Sequence, residues 1–210
     1  MKGSVRYITL LVFQLIFWGQ CAYSQQYPQG YFRSPLDIPL YLSGNFGELR
    51  TNHFHTGLDI KTEGREGLNV YASATGWVSR LKVSAFGYGL IVYVEHPNGF
   101  TSCYAHLSTF NQRISDYVKL KQYQQRAFEV DFGVPAGEIP VTQGEIIGLS
   151  GNSGGSGGPH LHFEIRDTKT ELALNPLLFG LDIADDVRPS INAWRAYAFN
   201  TNSSVDYSSS

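Results

Sequence analysis

The residues of this chain best suited to chemistry are its histidines. The segment HTGLD, from His55 to Asp59, offers an imidazole and a carboxylate with three residues between them, and Gly57 lets the backbone curl so that both can reach one ion. In the segment HLHFEIR, His160 and His162 alternate along a β-like stretch, so both imidazoles point to the same face. Two imidazoles and one carboxylate suit zinc, and three protein ligands leave a fourth position for water, as a catalytic site requires.

Each pattern alone has an ordinary explanation. The H-x-x-x-D spacing often arises by chance, and exposed histidines are common on strands. Here the two patterns occur together, with Ala105-His106-Leu107 between them in a chain rich in β-forming residues. The combination favours a metal centre over coincidence, and zinc is the predicted cofactor. A structural zinc site fits less well because no fourth protein ligand is evident in the pattern.

The composition allows one globular domain. The chain has 210 residues, a formal net charge of −2 and 42% hydrophobic residues, which fits a single domain with a real core plus short attachments. No stretch is rich in Lys and Arg. The composition therefore argues against nucleic acid or an anionic membrane surface as the main partner.

The amino-terminal residues predict an exported protein. Two basic residues precede an apolar run at about 8–18, and small and polar residues follow before Gln25. This order is typical of a secretory signal peptide, residues 1–24, and predicts a periplasmic, cell-envelope or extracellular location. A membrane anchor is the alternative, but the run is well short of the roughly 20 apolar residues of a spanning helix, so no membrane-spanning segment is expected after cleavage.

The two cysteines bear on the same prediction. Cys21 would be the lipidated residue of a lipoprotein, but Gln20 occupies the position where a small residue is expected. Removal of the signal peptide would leave Cys103 as the only cysteine. No internal disulfide is then possible, so the core and the metal must stabilise the fold.

Short segments rich in Val, Ile, Tyr and Phe, separated by Gly, Asn or Pro, predict an all-β fold: an antiparallel sheet or sandwich domain with a substrate groove. A turn at Pro97-Asn98-Gly99 predicts a hairpin. Apolar residues at helical spacing predict one helix at 113–128, inside an insertion at about 108–140. The expected domain is 25–180, and residues 181–210 form a tail or the start of a further module. The predicted strands are 76–83, 89–95, 101–106, 145–149 and 160–166.

These motifs together resemble the lysostaphin-like (LytM-type) zinc endopeptidases, which cut peptide bridges of bacterial peptidoglycan. The resemblance implies that His55, Asp59 and His162 hold the zinc, and that His106 and His160 are an unligated catalytic pair beside it. The motifs that carry it are Gly44-Asn45-Phe46-Gly47, the H-x-x-x-D of HTGLD, Tyr104-Ala105-His106-Leu107, the Gly-rich loop 152–159, Gly158-Pro159-His160-Leu161-His162-Phe163-Glu164 and Asn175-Pro176.

The resemblance also implies a function, zinc-dependent hydrolysis of peptide cross-links or bridges in peptidoglycan, with wall peptides as the partner. One unligated histidine would take the proton of the attacking water, and the other would stabilise the oxyanion or protonate the leaving amine. Which histidine does which stays open, as does the choice between glycine bridges and D-alanyl cross-links to a diamino acid. The alternative is a non-catalytic module that binds the cell wall or activates other hydrolases.

Strand periodicity gives expectations for Cys103, Tyr104 and Glu164, and the position of a turn gives one for His96. Cys103 should lie on the face opposite His106 and be a buried core thiol, whereas Tyr104 should share the His106 face and either line the groove or pack. Glu164 should lie on the face of the second ligand histidine and could be its hydrogen-bond partner. His96, beside the Pro-Asn-Gly turn, is interpreted as a turn-flanking residue whose replacement should leave the protein close to wild type.

Overall fold

The structure, a computed structural model, describes residues 27–185. The predicted signal peptide 1–24 and residues 186–210 of the predicted tail 181–210 lie outside the described residues. The strands are β1 (Leu42–Gly44), β2 (Leu58–Lys61), β3 (Asn69–Tyr71), β4 (Gly76–Val83), β5 (Leu90–Glu95), β6 (Phe100–Leu107), β7 (Thr109–Phe110), β8 (Val130–Gly133), β9 (Pro140–Val141), β10 (Ile146–Leu149), β11 (His160–Asp167) and β12 (Ala173–Leu174), with helix α1 (Gln112–Gln125) and a 3-10 helix (Pro176–Phe179).

The strands form two sheets. The larger has the order β1-β2-β11-β6-β5-β4-β8, with β12 also paired to β11 and β9 to β4; the smaller has the order β3-β10-β7. All pairings between these strands are antiparallel. The prediction of an all-β, antiparallel fold with one helix is confirmed.

Strand β11 lies in the middle of the large sheet and is buried on both faces. Its alternate residues Leu161, Phe163 and Ile165 enter the main hydrophobic core, where complete burial stabilises each by about 1.5–3 kcal/mol. His162 and Glu164 alternate with them and are also buried, on the other face of the sheet. The apolar half of the strand thus anchors a rigid backbone that presents polar side chains on its opposite face.

The predicted hairpin and helix are both present. The Pro-Asn-Gly turn joins β5 to β6, which pair antiparallel. Asn111 caps helix α1 by accepting a hydrogen bond from the Ile114 amide at 2.9 Å, and the helix ends earlier than predicted because Arg126 adopts a left-handed conformation. Within residues 27–185, no helix is long and apolar enough to cross a membrane.

His96 is a buried structural residue, and its interpretation as a mere turn-flanking residue is wrong. Its side chain is 2% exposed and packs edge-on against the Phe32 ring, with centroids 5.2 Å apart. One ring nitrogen lies 2.8 Å from the Ser102 hydroxyl and the other 3.0 Å from the Thr75 carbonyl oxygen. Replacing His96 would leave these buried groups unpaired, so the variant is not a neutral control.

This burial predicts a pH dependence of stability. Burial lowers the pKa of His96 from 6.5 to about 4, against the opposing effect of its hydrogen bond to the Thr75 carbonyl. The unfolded chain therefore takes up the proton first, so the stabilisation present above pH 6.5 is lost as the pH falls towards 4. At about pH 4.5 the loss should be roughly 2–3 kcal/mol.

Chemical denaturation of the metal-free protein at about pH 7.5 and about pH 4.5 measures this loss. The variant His96→Gln carries no titratable ring, so its free energy of unfolding should fall less than that of the wild type between the two pH values. An identical fall in the two proteins would show that His96 does not contribute to the acid sensitivity.

Candidate metal centre

The three predicted ligand residues lie together on the face of the large sheet opposite the main core. Asp59 of β2 and His162 of β11 are direct cross-strand partners, and His55 precedes β2. His55 Nε2, Asp59 Oδ1 and His162 Nδ1 form a triangle whose three sides are each 3.0 Å. Sequence spacing alone does not bring the third ligand to the first two; the pairing of β2 with β11 does.

This triangle fits a zinc ion. Zinc held by four ligands at about 2.0–2.1 Å separates neighbouring ligand atoms by about 3.3 Å, close to the observed spacing. Among the described residues, these three are the group of His, Cys, Asp and Glu side chains whose potential ligand atoms converge. Two imidazole nitrogens and one carboxylate oxygen are also the donor set expected of a catalytic zinc site with an open position.

Hydrogen bonds hold both ligand imidazoles in the orientation that metal binding requires. His55 donates its Nδ1–H to the Asn45 carbonyl oxygen at 2.7 Å, which leaves the Nε2 lone pair for a metal. His162 donates its Nε2–H to Glu164 Oε1 at 2.8 Å, which leaves the Nδ1 lone pair. Each imidazole is therefore set in the tautomer that directs a lone pair into the triangle.

Glu164, the predicted hydrogen-bond partner, is the centre of a buried polar network. Besides the His162 imidazole, its Oε1 accepts hydrogen bonds from the hydroxyls of Thr56 and Tyr88, each at 2.6 Å, while Oε2 accepts from Arg166 Nε at 2.5 Å. Burial by itself would raise the pKa of Glu164, but the interactions with His162 and Arg166 outweigh it and lower the pKa to about 2. The carboxylate therefore stays ionised and keeps accepting these bonds.

The carboxylate of Asp59 is ionised for a similar reason. Burial would raise its pKa, but hydrogen bonds from the protonated rings of His160, His162 and His55 outweigh that effect and hold the pKa far below its usual range. Gly57, between the first two ligands, has no room for a side chain: an added Cβ would lie 2.8 Å from Glu164 Cγ and 3.0 Å from His162 Nε2. Its small size, as well as its flexible backbone, thus suits this position.

His106 and His160, the predicted unligated pair, lie beside the triangle with ring centroids 4.7 Å apart. Each donates its Nδ1–H to a backbone carbonyl oxygen at 2.8 Å, His106 to Ser153 and His160 to Gly158. In the neutral ring the free lone pair is then on Nε2 in both residues. His160 Nε2 lies 3.4 Å from Asp59 Oδ1, so this histidine is next to the ligand set.

The two rings differ in their electrostatic surroundings. Burial lowers the pKa of His106 to about 4, opposed by its hydrogen bond to the Ser153 carbonyl. Burial would also lower the pKa of His160, but hydrogen bonds to Asp59 and to the Gly158 carbonyl outweigh it and raise the pKa. Two imidazoles with lone pairs on Nε2 next to a metal triangle can accept, hold and return protons.

The faces predicted for Cys103 and Tyr104 relative to His106 are wrong. Cys103 lies opposite Glu164 in the sheet and therefore shares the face of the metal triangle, whereas Tyr104 points into the main core. The register between β5 and β6 shifts between Tyr104 and Leu107, and His106 within this stretch has φ 59°, so its side chain turns back to the site face. Cys103 is nevertheless a buried thiol, as predicted, and burial raises its pKa.

The site lies in a groove of about 500 Å³, within the range typical of ligand-binding clefts. One wall is the turn before β2, where Leu49 and Phe54 bridge across a narrow hairpin. The loop before β5 and the Gly-rich loop form other parts of the lining. The lining residues are Arg50, Thr51, Asn52, His53, His55, Thr56, Asp59, Gly87, Tyr88, His106, Gly155, Ser156, Gly157, His160 and His162.

Arg50 and Tyr88, two of the lining residues that were not predicted from the sequence, contact the ligand residues or their partners. Arg50 Nη2 lies 3.0 Å from Asp59 Oδ2. The Tyr88 ring packs at a tilt of 45° against the His162 ring, with centroids 5.2 Å apart, and its hydroxyl donates to Glu164. Both lie on loops outside any recognisable spacing. The only sign in the sequence is the pair of glycines on either side of Tyr88, Gly87 and Gly89, which both have positive φ.

Comparison with known sequences identifies the chain's relatives. The profile of Peptidase family M23 matches residues 53–124 and 131–176. The DD-carboxypeptidase/endopeptidase Mpg of Neisseria meningitidis is 36% identical over 118 residues, which are 56% of this chain and 21% of Mpg. The cell division protein DipM of Caulobacter vibrioides is 32% identical over 142 residues, 68% of this chain and 19% of DipM. The chain thus matches about a fifth of the length of these relatives.

A solved structure shares the fold. The catalytic domain of the prophage-encoded M23 protein EnpA from Enterococcus faecalis is 24% identical, with a TM-score of 0.50, and the match covers 70% of this chain and 96% of that domain. The family profile spans more than half of the chain and includes all five predicted site residues. The chain belongs to Peptidase family M23, which confirms the resemblance drawn from its motifs.

Proposed function

We propose that this protein is a zinc-dependent endopeptidase that hydrolyses peptide cross-links or bridges of bacterial peptidoglycan. The observation that carries the proposal is the convergence of three ligand atoms, 3.0 Å apart, at a groove that also holds two unligated histidines. The relatives support the substrate class, since they include the peptidoglycan DD-endopeptidase ShyA of Vibrio cholerae and lysostaphin.

In this proposal His55, Asp59 and His162 hold the zinc. A zinc ion in such a site acts as a Lewis acid on the scissile carbonyl and lowers the pKa of water. The triangle would contribute one negative charge, from Asp59, so a zinc ion held there would keep a net positive charge.

His106 and His160 perform the proton transfers. Because their Nδ1–H groups are bound to backbone carbonyls, Nε2 is the atom that takes or gives a proton in each ring. One histidine accepts the proton of the attacking water at Nε2, and the other stabilises the oxyanion or protonates the leaving amine. The backbone carbonyls keep both rings oriented through the reaction, so little rearrangement is needed.

The substrate class also supports an extracytoplasmic location, since peptidoglycan is assembled outside the cytoplasmic membrane. The predicted signal peptide agrees with this location. Peptide substrate rather than nucleic acid remains the proposed partner, in keeping with a formal net charge of −2.

Digestion of purified peptidoglycans of known bridge chemistry tests the proposal. The purified protein is incubated with one wall preparation cross-linked by glycine bridges and another cross-linked directly from D-alanine to a diamino acid. We expect new amino termini in one of them by mass spectrometry, and their disappearance when a chelator removes the zinc. Bound zinc with no cleavage of either wall would contradict the enzyme and support the non-catalytic binding module.

A further inference from the structure

The segment from the end of β1 to Arg50, residues 44–50, contacts the candidate metal centre and lies outside the region matched by the family profile, which begins at residue 53. It contacts two of the three proposed ligands. The Asn45 carbonyl accepts the His55 Nδ1–H at 2.7 Å, and Arg50 Nη2 lies 3.0 Å from Asp59 Oδ2. This segment therefore supplies hydrogen-bond partners, Asn45 and Arg50, to two proposed ligands that lie later in the chain.

The contacts of Asp59 divide its carboxylate into two halves. Oδ1 lies 3.0 Å from the ligand nitrogens of both His55 and His162 and belongs to the metal triangle. Oδ2 faces away from that triangle and is paired with the Arg50 guanidinium. A charge-assisted bond to one oxygen restricts rotation of the carboxylate, so the other oxygen keeps its direction.

Arg50 is itself held in place. Its Nη2 also lies 3.1 Å from Glu48 Oε2, and Glu48 Oε1 accepts the Asn45 amide at 2.8 Å. Backbone hydrogen bonds close the turn, from the Arg50 amide to the His53 carbonyl and from the His55 amide to the Glu48 carbonyl, each at 2.8 Å. The closed hairpin and the contact with Glu48 thus hold the guanidinium in place where it meets Asp59.

Gly44 leaves the space in which this ion pair forms. A Cβ atom at residue 44 would collide with both Asp59 Oδ2 and Arg50 Nη2. The φ of Gly44 is not in the left-handed region, so close approach of the ion pair, rather than backbone strain, explains a glycine here.

We propose that Arg50 is a positioning residue for the metal ligand Asp59: it binds Oδ2 and thereby directs Oδ1 to the zinc. The proposal rests on the ligand set given under the proposed function. The alternative is an ordinary surface ion pair, since the Arg50 side chain is 38% exposed, and such pairs contribute little. Asp59 is only 14% exposed, and its Oδ1 lies 3.0 Å from the nitrogens of the other two proposed ligands, which favours the positioning role.

Zinc affinity separates these alternatives without any substrate. We expect Arg50→Ala to bind zinc about 10–100-fold more weakly than wild type in competition with a chromophoric chelator, the usual effect of losing a partner of a metal ligand. Arg50→Lys should recover part of the loss because it restores a cationic donor. The matched control is Arg65→Ala, which removes the exposed Arg65–Glu63 ion pair and should bind zinc like wild type.

Gly44→Ala tests the same contact without removing a charge, and should also weaken zinc binding because it wedges the ion pair apart. It keeps the test available if Arg50→Ala does not fold. Thermal unfolding of each metal-free variant shows whether the fold is retained. Wild-type zinc affinity in folded Arg50→Ala, or in folded Gly44→Ala, would overturn the proposal.

A double-variant comparison shows whether Arg50 acts through Asp59. In an Asp59→Ala background, Arg50→Ala should cause no further loss of zinc affinity, and an undiminished loss would overturn the positioning role. If Asp59→Ala alone keeps full zinc affinity, the ligand set fails and this proposal fails with it. If Arg50→Ala weakens zinc binding in a protein that cleaves no wall peptide, the inference stands and the proposed enzyme activity fails.

Discussion

Replacing Asp59 or His162 with alanine is expected to remove most of the zinc from the purified protein. Each change leaves two of the three proposed ligand atoms, and loss of a ligand should cost more affinity than the about 10–100-fold typical of an outer partner. Asp59→Ala also removes the carboxylate oxygen that lies 3.0 Å from the ring nitrogens of both His55 and His162. Metal analysis after dialysis against a weak chelator measures the occupancy per chain.

Asp131→Ala is the matched control for the aspartate variant. Asp131 lies on β8 of the same sheet and pairs with Arg80 at 2.7 Å, outside the groove. This variant should keep one zinc per chain. Full zinc occupancy in both Asp59→Ala and His162→Ala would show that the ligand assignment is wrong.

Replacing His106 with alanine is expected to keep the zinc and abolish most of the cleavage. His106 is buried next to the triangle of proposed ligand atoms but is not one of the three proposed ligands. The free lone pair of its ring is on Nε2. A positioned group that transfers a proton or stabilises charge contributes about 10²–10⁴-fold in rate, so the fall in a wall-peptide cleavage assay should be of that size. His160→Ala should behave alike, because its ring is oriented in the same way.

The backbone at His106 calls for a second variant. Its φ of 59° lies in the left-handed region, which asparagine tolerates better than alanine, so His106→Asn should fold with less strain while still lacking the imidazole. Tyr123→Ala, on the exposed side of α1, replaces His96 as the neutral control. Loss of zinc from His106→Asn would make His106 a ligand, and wild-type cleavage would contradict the mechanism.

The strands and the helix were predicted well from the sequence because their signals are local. Gly, Asn and Pro interrupt β-forming segments where the chain turns, and the predicted strand at 76–83 matches β4 residue for residue. The predicted helix end lies three residues too far along the chain. The helix stops because Arg126 adopts a left-handed conformation, and a non-glycine residue gives little sign of this in the sequence.

The chemistry of the site also follows from local spacing to a large extent. Alternation along one strand is enough to direct His160 and His162 to the same face, and three residues with a glycine are enough to bring His55 near Asp59. The family motifs added the division into ligands and unligated histidines. The sequence by itself therefore predicted the candidate metal, its donor set and the family, whereas the approach of His162 to His55 and Asp59 depends on the pairing of β2 with β11.

The tertiary structure alone decided the features that depend on distant pairing. The bulge between β5 and β6 turns His106 to the site face and reverses the faces expected for Cys103 and Tyr104, because a register shift is a property of two strands. His96 is buried because another part of the chain, including Phe32, packs over its turn. Arg50 meets Asp59 only because β2 and the preceding hairpin fold together, and side-chain contacts of this kind leave no periodic trace in a sequence.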